Sequence, residues 1–294
     1  MSTAKKPTVA IIGAGSLATF LAVALDAAGF TITEIVARDS QQSRRKARKL
    51  AVKVGAHTVT ASSARLDGKL LWFCVPDREI RSAASALADQ VAAHSSTHEK
   101  HKLRFVFHSS GALLSRELEP LRRAGAAVAS VHPLMTFVAG AHPSLRGVPF
   151  AIEGDDAAKR VAQRIVRKLG GESFSLPAAL KPAYHAWATL TSPLLVAFLV
   201  TLEEAARAAG LSRQDARRKS LPIIRQTLAN YWCFGPAQSF SGPLLRGDAD
   251  TVAKHLAVLK KHPRAREVYV ALARAALRGL PVKNRNELRR LLLN

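Results

Sequence analysis

Cysteine is scarce: the 294 residues include only Cys74 and Cys233. Two thiols so far apart exclude a disulfide framework and read as buried side chains in a reducing compartment, so a cytoplasmic location is expected. Long apolar runs are also missing. The longest after the first thirty residues, "LLVAFLV" from Leu194 to Val200, ends near Glu203 and Glu204. A bilayer span needs roughly 20 apolar residues, so this stretch reads as a core helix and no membrane partner is expected. Acidic residues are few, 21 against 44 lysines and arginines, for a net charge of +23.

That excess is not a tail. Met1–Pro177 carries 25 basic and 14 acidic residues, and Ala178–Asn294 carries 19 and 7. Such a surface attracts nucleotides, phosphorylated or carboxylated metabolites, and nucleic acid. A simply solvated basic surface is the plainer reading, and nucleic-acid binding, which rests on charge alone, is not expected. With 48% hydrophobic and 22% charged residues the composition is globular. The length suits one large domain or two ordinary ones, with a core that needs neither disulfides nor a metal. No metal site, internal repeat or low-complexity segment is expected.

What is present begins at "VAIIGAGSLATFLAVALDAAGF", Val9 to Phe30. A secretory signal peptide would have an unbroken apolar centre and a small-residue cleavage site. Here Gly13 and Gly15 break the centre, and Asp26 follows. A short β-rich run, then G-x-G-x-x-A, then a helical pattern stopped by Gly29 fits a dinucleotide-binding turn instead. Gly13 permits the tight turn, Gly15 the close approach of pyrophosphate, and Ala18 the packing of helix on strand. Gly13, Ala14, Gly15, Ser16 and Leu17 are therefore the expected phosphate-binding residues, at a helix N-terminus that favours anions.

The second strand, Thr31 to Arg38, ends where an NAD-selective fold usually places an acid. Arg38 and Ser40, helped by Arg44, suit a 2′-phosphate, so NADP is the expected cofactor; Asp39 keeps NAD open. The run "SRRKARK" reads as the solvated face of the next helix. Further strands are expected near "HTVTA", "LLWFCVPDREI", "RFVFHSSGALL" and "AAVASVHPLMTF", with helical segments between them. A strand–helix–strand unit follows, "GVPFAIEGDDAAKRVAQRIVRKLGGESFSLP". This alternation predicts an α/β fold with a doubly wound, mostly parallel Rossmann sheet. Ligands of such sheets bind beyond the carboxyl ends of strands. Val75, Pro76, His108, Ser109, Gly111 and His132 all fall there. The first five are assigned to the cofactor and His132 to substrate anchoring or proton transfer. "HSSG" lacks the G-x-S-x-G of a hydrolase nucleophile elbow.

Past Pro177 the pattern becomes helical throughout, which divides the chain into residues 1–177, a Rossmann-like domain, and 178–294, an all-helical domain. On the helix that opens with Lys181-Pro182, His185 lies about 40°, Ser192 about 20° and Thr189 about 80° from Lys181. This polar stripe needs hydrogen-bonding partners. Lys181, His185 and Ser192 are the candidate catalytic residues of the helix, and Pro193 predicts a kink. Further on, a helix after "RGD" is expected to be capped by Asp250. An ion-pair or helix-end role is expected for Arg246, with an anion clamp as the alternative.

The motifs "IIGAGSLA", "VPDREI", "HSSGAL", "SVHPLMTF", "IEGDD", "KPAYHAWATLTSP" and "SGPLLRGD" together resemble a family of bacterial proteins that join a Rossmann-like domain to an all-helical domain of unknown function. That family is related to pyrroline-5-carboxylate reductase and deazaflavin-dependent NADP oxidoreductases. Its helical domain is similar to the C-terminal domain of 6-phosphogluconate dehydrogenase. The resemblance implies an NADP-dependent oxidoreductase that dimerises through its helical domain and acts on a small substrate, which the positive charge suggests is anionic. His132-Pro133 is similar to the "HPM" of prephenate dehydrogenases. One departure stands out: the family pattern after "YHA" ends in Ser-Asn, where this chain has Ser192-Pro193. In related dehydrogenases an asparagine there positions substrate or nicotinamide. Its replacement supports the alternative of a dinucleotide-binding sensor or scaffold without turnover.

Overall fold

The computed structural model describes residues 8–66, 68–95, 104–141 and 143–293. The chain forms two compact units, residues 1–188 and 189–294.

Among the described residues the first unit is built on eight strands: β1 (Val9–Ile12), β2 (Ile32–Ala37), β3 (His57–Thr60), β4 (Leu70–Phe73), β5 (Phe105–His108), β6 (Ala127–Pro133), β7 (Pro149–Gly154) and β8 (Glu172–Ser175). Their order in the sheet is β3-β2-β1-β4-β5-β6-β7-β8. All neighbours pair in parallel except β6 and β7. The reason is local. Helices α1 (Ser16–Ala27), α2 (Gln41–Val54) and α3 (Asp77–Ser95), and the short α4 (Glu119–Arg123) with its preceding 3-10 turn, carry the chain between parallel strands. Among the described residues no helix lies between Pro133 and Pro149, and β7 returns antiparallel to β6. Helix α5 (Asp156–Lys168) then crosses from β7 to β8.

The central strands are buried on both faces and read as continuous apolar runs. Helices α1, α2 and α5 cover one face, around Ile11, Trp72, Phe107 and Phe150. Helix α3 and the α4 segment cover the other, around Phe73, Ile80 and Val106. The sheet order reverses between β1 and β4, which places a crevice at the carboxyl ends of these two strands.

Helix α6 (Lys181–Thr191) opens the helical region, yet the compact division falls after Ala188. The boundary expected from composition at Pro177 thus precedes the division by contacts. The shift follows from Lys181 and Tyr184, which are buried in the first unit.

The second unit contains α7 (Pro193–Arg207), α8 (Arg213–Ser239), α9 (Pro243–Arg246), α10 (Ala249–Leu259), α11 (Pro263–Gly279) and α12 (Arg285–Leu293). The break expected at Pro193 is present. Ser192 adopts φ −123°, ψ −73°, and Pro193 starts α7, where its missing N–H leaves no bond unmade. Helix α8 is also interrupted, at Gly235 with φ +77°. Val252, Leu256, Leu277, Leu288 and Leu292 form the core of this unit. The "RGD" segment is structural. Asp248, not Asp250, caps α10, accepting from the Thr251 amide at 3.0 Å and the Thr251 hydroxyl at 2.7 Å. Gly247, at φ +72°, packs so closely on Lys283 and Asn284 that a Cβ would come within 2.8 Å of them. Arg246 is exposed.

By contrast, α7 and much of α8 expose large apolar side chains, among them Leu194, Val196, Val200, Ile223, Tyr231 and Phe234, with Trp232 75% exposed. The stretch Ala178–Arg207 has the length and mean hydropathy, 1.5, to cross a membrane. Within it, Lys181 is buried near the start and the helix breaks at Ser192.

Candidate functional site

The glycine turn lies between β1 and α1. Gly13, at φ +108°, accommodates Cys74: a Cβ there would stand 2.5 Å from the Cys74 carbonyl oxygen. Gly15 precedes the first turn of α1, and no side chain caps that helix. A Cβ at Gly15 would meet nothing within 4 Å. The turn therefore leaves free amides and open space where a phosphate would approach, and the residues fit a dinucleotide. Ser16 and Leu17 begin α1 and are half-buried, and Ala18 is fully buried on the sheet.

Beside the turn is a groove of about 480 Å³ at the ends of β1, β2, β3 and β4, lined by Ile12, Arg38, Asp39, Thr60, Ser62, Val75 and Glu79. Arg38 follows β2, and its guanidinium lies 3.0 Å from a Glu79 carboxylate oxygen. Ser40 caps α2, accepting from the Ser43 amide at 3.3 Å. Arg44 pairs with Asp39. Pro76 closes the turn after Val75 and accepts from the Glu79 amide at 2.8 Å.

A second group of polar residues lies at the ends of β5, β6 and β7. Alternation along β6 sends Ala129 and Val131 to one core and Val128 to the other, so Ser130 and His132 share the face of Val128. Antiparallel register sets Ser130 opposite Glu153 of β7. Helix α6 brings Lys181, Tyr184 and His185. Lys181 is 2% exposed, and its ammonium donates to the Ser130 hydroxyl. That hydroxyl in turn donates to the Ser110 carbonyl at 3.1 Å. Burial lowers the Lys181 pKa to about 8, although the nearby carboxylates of Glu153 and Asp77 favour its charge. Glu153 is held by the amide and hydroxyl of Ser115, at 2.8 and 2.7 Å.

His132 Nδ1 is 2.7 Å from the Tyr184 hydroxyl. Burial, then the charge of Lys181, lowers the His132 pKa to about 4, so the ring is neutral near pH 7. Burial pushes Tyr184 up to about 12, so its hydroxyl keeps its proton and can donate to Nδ1. The other imidazole nitrogen, Nε2, faces Gly111. A Cβ on Gly111 would meet His185 Cδ2 at 2.8 Å and His132 Nε2 at 2.9 Å. Only a residue without a side chain lets both imidazoles pack here.

The "HSSG" turn corrects part of the expectation. His108 is fully buried and does not line the crevice. Its Nδ1 accepts from the Ser110 amide at 3.1 Å, and its Nε2 donates to the Leu114 carbonyl at 3.0 Å. Burial drives its pKa down to about 3, so it is a neutral staple for the turn. The Ser109 hydroxyl is also committed, accepting from Trp72 Nε1 at 2.8 Å. Within this turn it is the backbone and Gly111 that meet the imidazoles. Thr189 and Ser192 belong to the second unit. Ser130, Glu153, Tyr184 and Asp77 join the group without having been singled out in the sequence. The lone serine inside the apolar strand "AVASVHP" was the one visible signal.

Two family models cover most of the chain. A Rossmann-like domain matches residues 2–133, and the domain of unknown function DUF2520 matches residues 148–276. The chain joins a Rossmann-like domain to a DUF2520 domain. The DUF2520 match begins at Val148 and so takes in β7, β8 and Glu153 as well as Lys181 and His185. Among solved structures, the chain is similar to a Bacteroides fragilis protein assigned as an NADP oxidoreductase. Identity is 22%, TM-score 0.73, and coverage 92% of this chain and 98% of that one. A reductive aminase of Aspergillus terreus, in complex with NADPH and ethyl-5-oxohexanoate, matches at 17% identity and TM-score 0.62, over 97% and 99% of the two chains. A pyrroline-5-carboxylate reductase of Coxiella burnetii matches at 16% identity and TM-score 0.57, over 97% and 98%. These likenesses establish the fold that the Rossmann-like and DUF2520 segments share with those proteins. No curated protein sequence matches the chain.

Proposed function

We propose that this Rossmann-like and DUF2520 protein is a dinucleotide-dependent oxidoreductase that takes NADP(H), with NAD(H) left open as the alternative. The observation that carries the reading is the Gly13–Gly15 turn, with an uncapped helix and open space at Gly15, at the point where the sheet order reverses. The NADPH complex of the reductive aminase, on a similar fold, supports it. When bound, the nicotinamide supplies or accepts a hydride. The chain's own part is to hold the dinucleotide and to manage a proton. Ala14–Leu17 offer backbone amides to the pyrophosphate, while Gly13, whose amide donates to the Val36 carbonyl at 2.8 Å, shapes the turn. Arg38 and Ser40 serve the adenosine end, and Val75 and Pro76 wall the crevice.

Proton management falls to the group around Gly111. Lys181, with its pKa lowered to about 8, can hold or release a proton near neutral pH. Neutral His132, oriented by Tyr184, and His185 beside it offer further donors toward the same glycine. A cationic Lys181 and the overall charge of +23 favour an anionic substrate. The apolar faces of α7 and α8 are best covered by a second copy of the chain, so the working form is a homodimer.

Calorimetric titration with NADPH and NADH tests the cofactor half, and NADPH oxidation with a panel of imines and keto acids tests the catalytic half. Binding without turnover on any substrate would favour the sensor alternative. Absence of dinucleotide binding would overturn the proposal.

A further inference from the structure

Arg38, the cation expected to meet a 2′-phosphate, is already engaged by an internal anion. Its guanidinium lies 3.0 Å from Glu79, and both side chains line the groove at the end of β2. The pair joins two elements with fixed backbones. The Arg38 amide donates to Ser43 Oγ at 3.0 Å, and its carbonyl accepts from the Ser40 amide at 2.8 Å. Glu79 sits in the first turn of α3, where its amide donates to Pro76 and its carbonyl accepts from Ser82. A carboxylate in a first helical turn is a favourable placement, because the helix dipole presents its positive end there. The two partners differ in freedom. The Arg38 side chain is 69% exposed and that of Glu79 is 22% exposed. The guanidinium can therefore swing to a ligand while the carboxylate stays in the groove.

We propose that Glu79 is a specificity-determining residue for the cofactor: it competes with the 2′-phosphate for Arg38 and presents a carboxylate to the ribose hydroxyls of the unphosphorylated dinucleotide. The inference rests on the dinucleotide reading given above. A 2′-phosphate entering the groove gains Arg38 only by displacing Glu79, and it then meets the like charge of that carboxylate. A free ribose leaves the Arg38–Glu79 pair intact and finds an acceptor for its hydroxyls. Asp39 acts on Arg44 in the same sense at the outer edge of the groove. Both arginines suited to a phosphate are thus balanced by acids, and the choice between cofactors is set by Glu79 in α3 as well as by the residues after β2.

The test is calorimetry of NADPH and NADH binding to the full chain and its Glu79→Gln, Arg38→Gln and double variants. An exposed pair contributes up to about 1 kcal/mol, so Glu79→Gln is expected to tighten NADPH binding about three- to five-fold and to leave NADH binding equal or weaker. In the Arg38→Gln background the gain for NADPH should shrink, because the displaced partner is gone. A ratio of NADPH to NADH affinity that does not rise in Glu79→Gln overturns the inference, as does an equal gain with and without Arg38. If the unaltered chain binds neither dinucleotide, the cofactor reading itself has failed.

Discussion

The Cα of Gly111 is where the rings of His132 and His185 meet: a methyl group there would lie 2.8 Å from His185 Cδ2 and 2.9 Å from His132 Nε2. A strand-end residue and a helix residue 53 positions apart are thus kept together by the absence of a side chain.

Gly111→Ala must push one ring aside. The expected result is a loss of about 1–3 kcal/mol of stability, as for other overpacked sites, with a larger fractional loss of turnover than of NADPH affinity. Thermal unfolding and paired calorimetry measure the two. Unchanged turnover in a destabilised variant would show that the imidazoles serve packing alone.

Lys181 predicts a pH-dependent rate. Its pKa of about 8 places a change of protonation within the working range. The profile of kcat/KM should bend near pH 8, and Lys181→Met should lose that limb, whereas Ser130→Ala should shift it. A bend that persists in Lys181→Met assigns the titration to another group.

Acid should destabilise the fold. His132 and His108 have pKa values lowered from 6.5 to about 4 and about 3. The unfolded chain therefore binds protons that the folded chain refuses. The contribution of the neutral rings is full above pH 6.5 and is lost progressively as the pH falls from there toward 4, and toward 3 for His108. Lys181 follows the same sign between about 8 and 10.5, where stability rises with pH as the buried ammonium is released. Urea midpoints at pH 7, 6, 5 and 4 should fall in that order, with a shallower slope in His132→Gln. A flat series would contradict the burial of both rings.

The exposed faces of α7 and α8 predict association. Wild-type protein should sediment as a dimer, and Trp232→Glu or Ile223→Glu should shift it toward the monomer. A monomer at every concentration would leave those apolar side chains to a different partner.

Much of this was legible in the sequence. Gly13, Gly15 and Ala18 announced the turn, because a phosphate cradle needs small residues at fixed spacing on one short stretch. The break at Ser192-Pro193 was equally visible, since proline has one comfortable place in a helix. Contacts between distant strands were harder to see. His108 looked like a crevice residue because it ends a strand, but its ring nitrogens turn inward to Ser110 and Leu114. Glu153 was hidden in "AIEGDD". Its register partner Ser130 lies across the one antiparallel pair of an otherwise parallel sheet. Glu79 was passed over for the same reason, since its meaning depends on an arginine 41 residues earlier.

The reversed strand β7 has a consequence for how this protein can change over generations. Point substitutions in β7 alter one side chain at a time. Inserting or deleting a single residue between Phe150 and Glu153 would exchange the two faces of the strand. Glu153 would then enter the layer that now holds Phe150 and Ile152, and Lys181 would lose a carboxylate that balances its buried charge. Length variation should therefore collect in the connections before Pro149 and after Ser175, while β7 itself keeps its count.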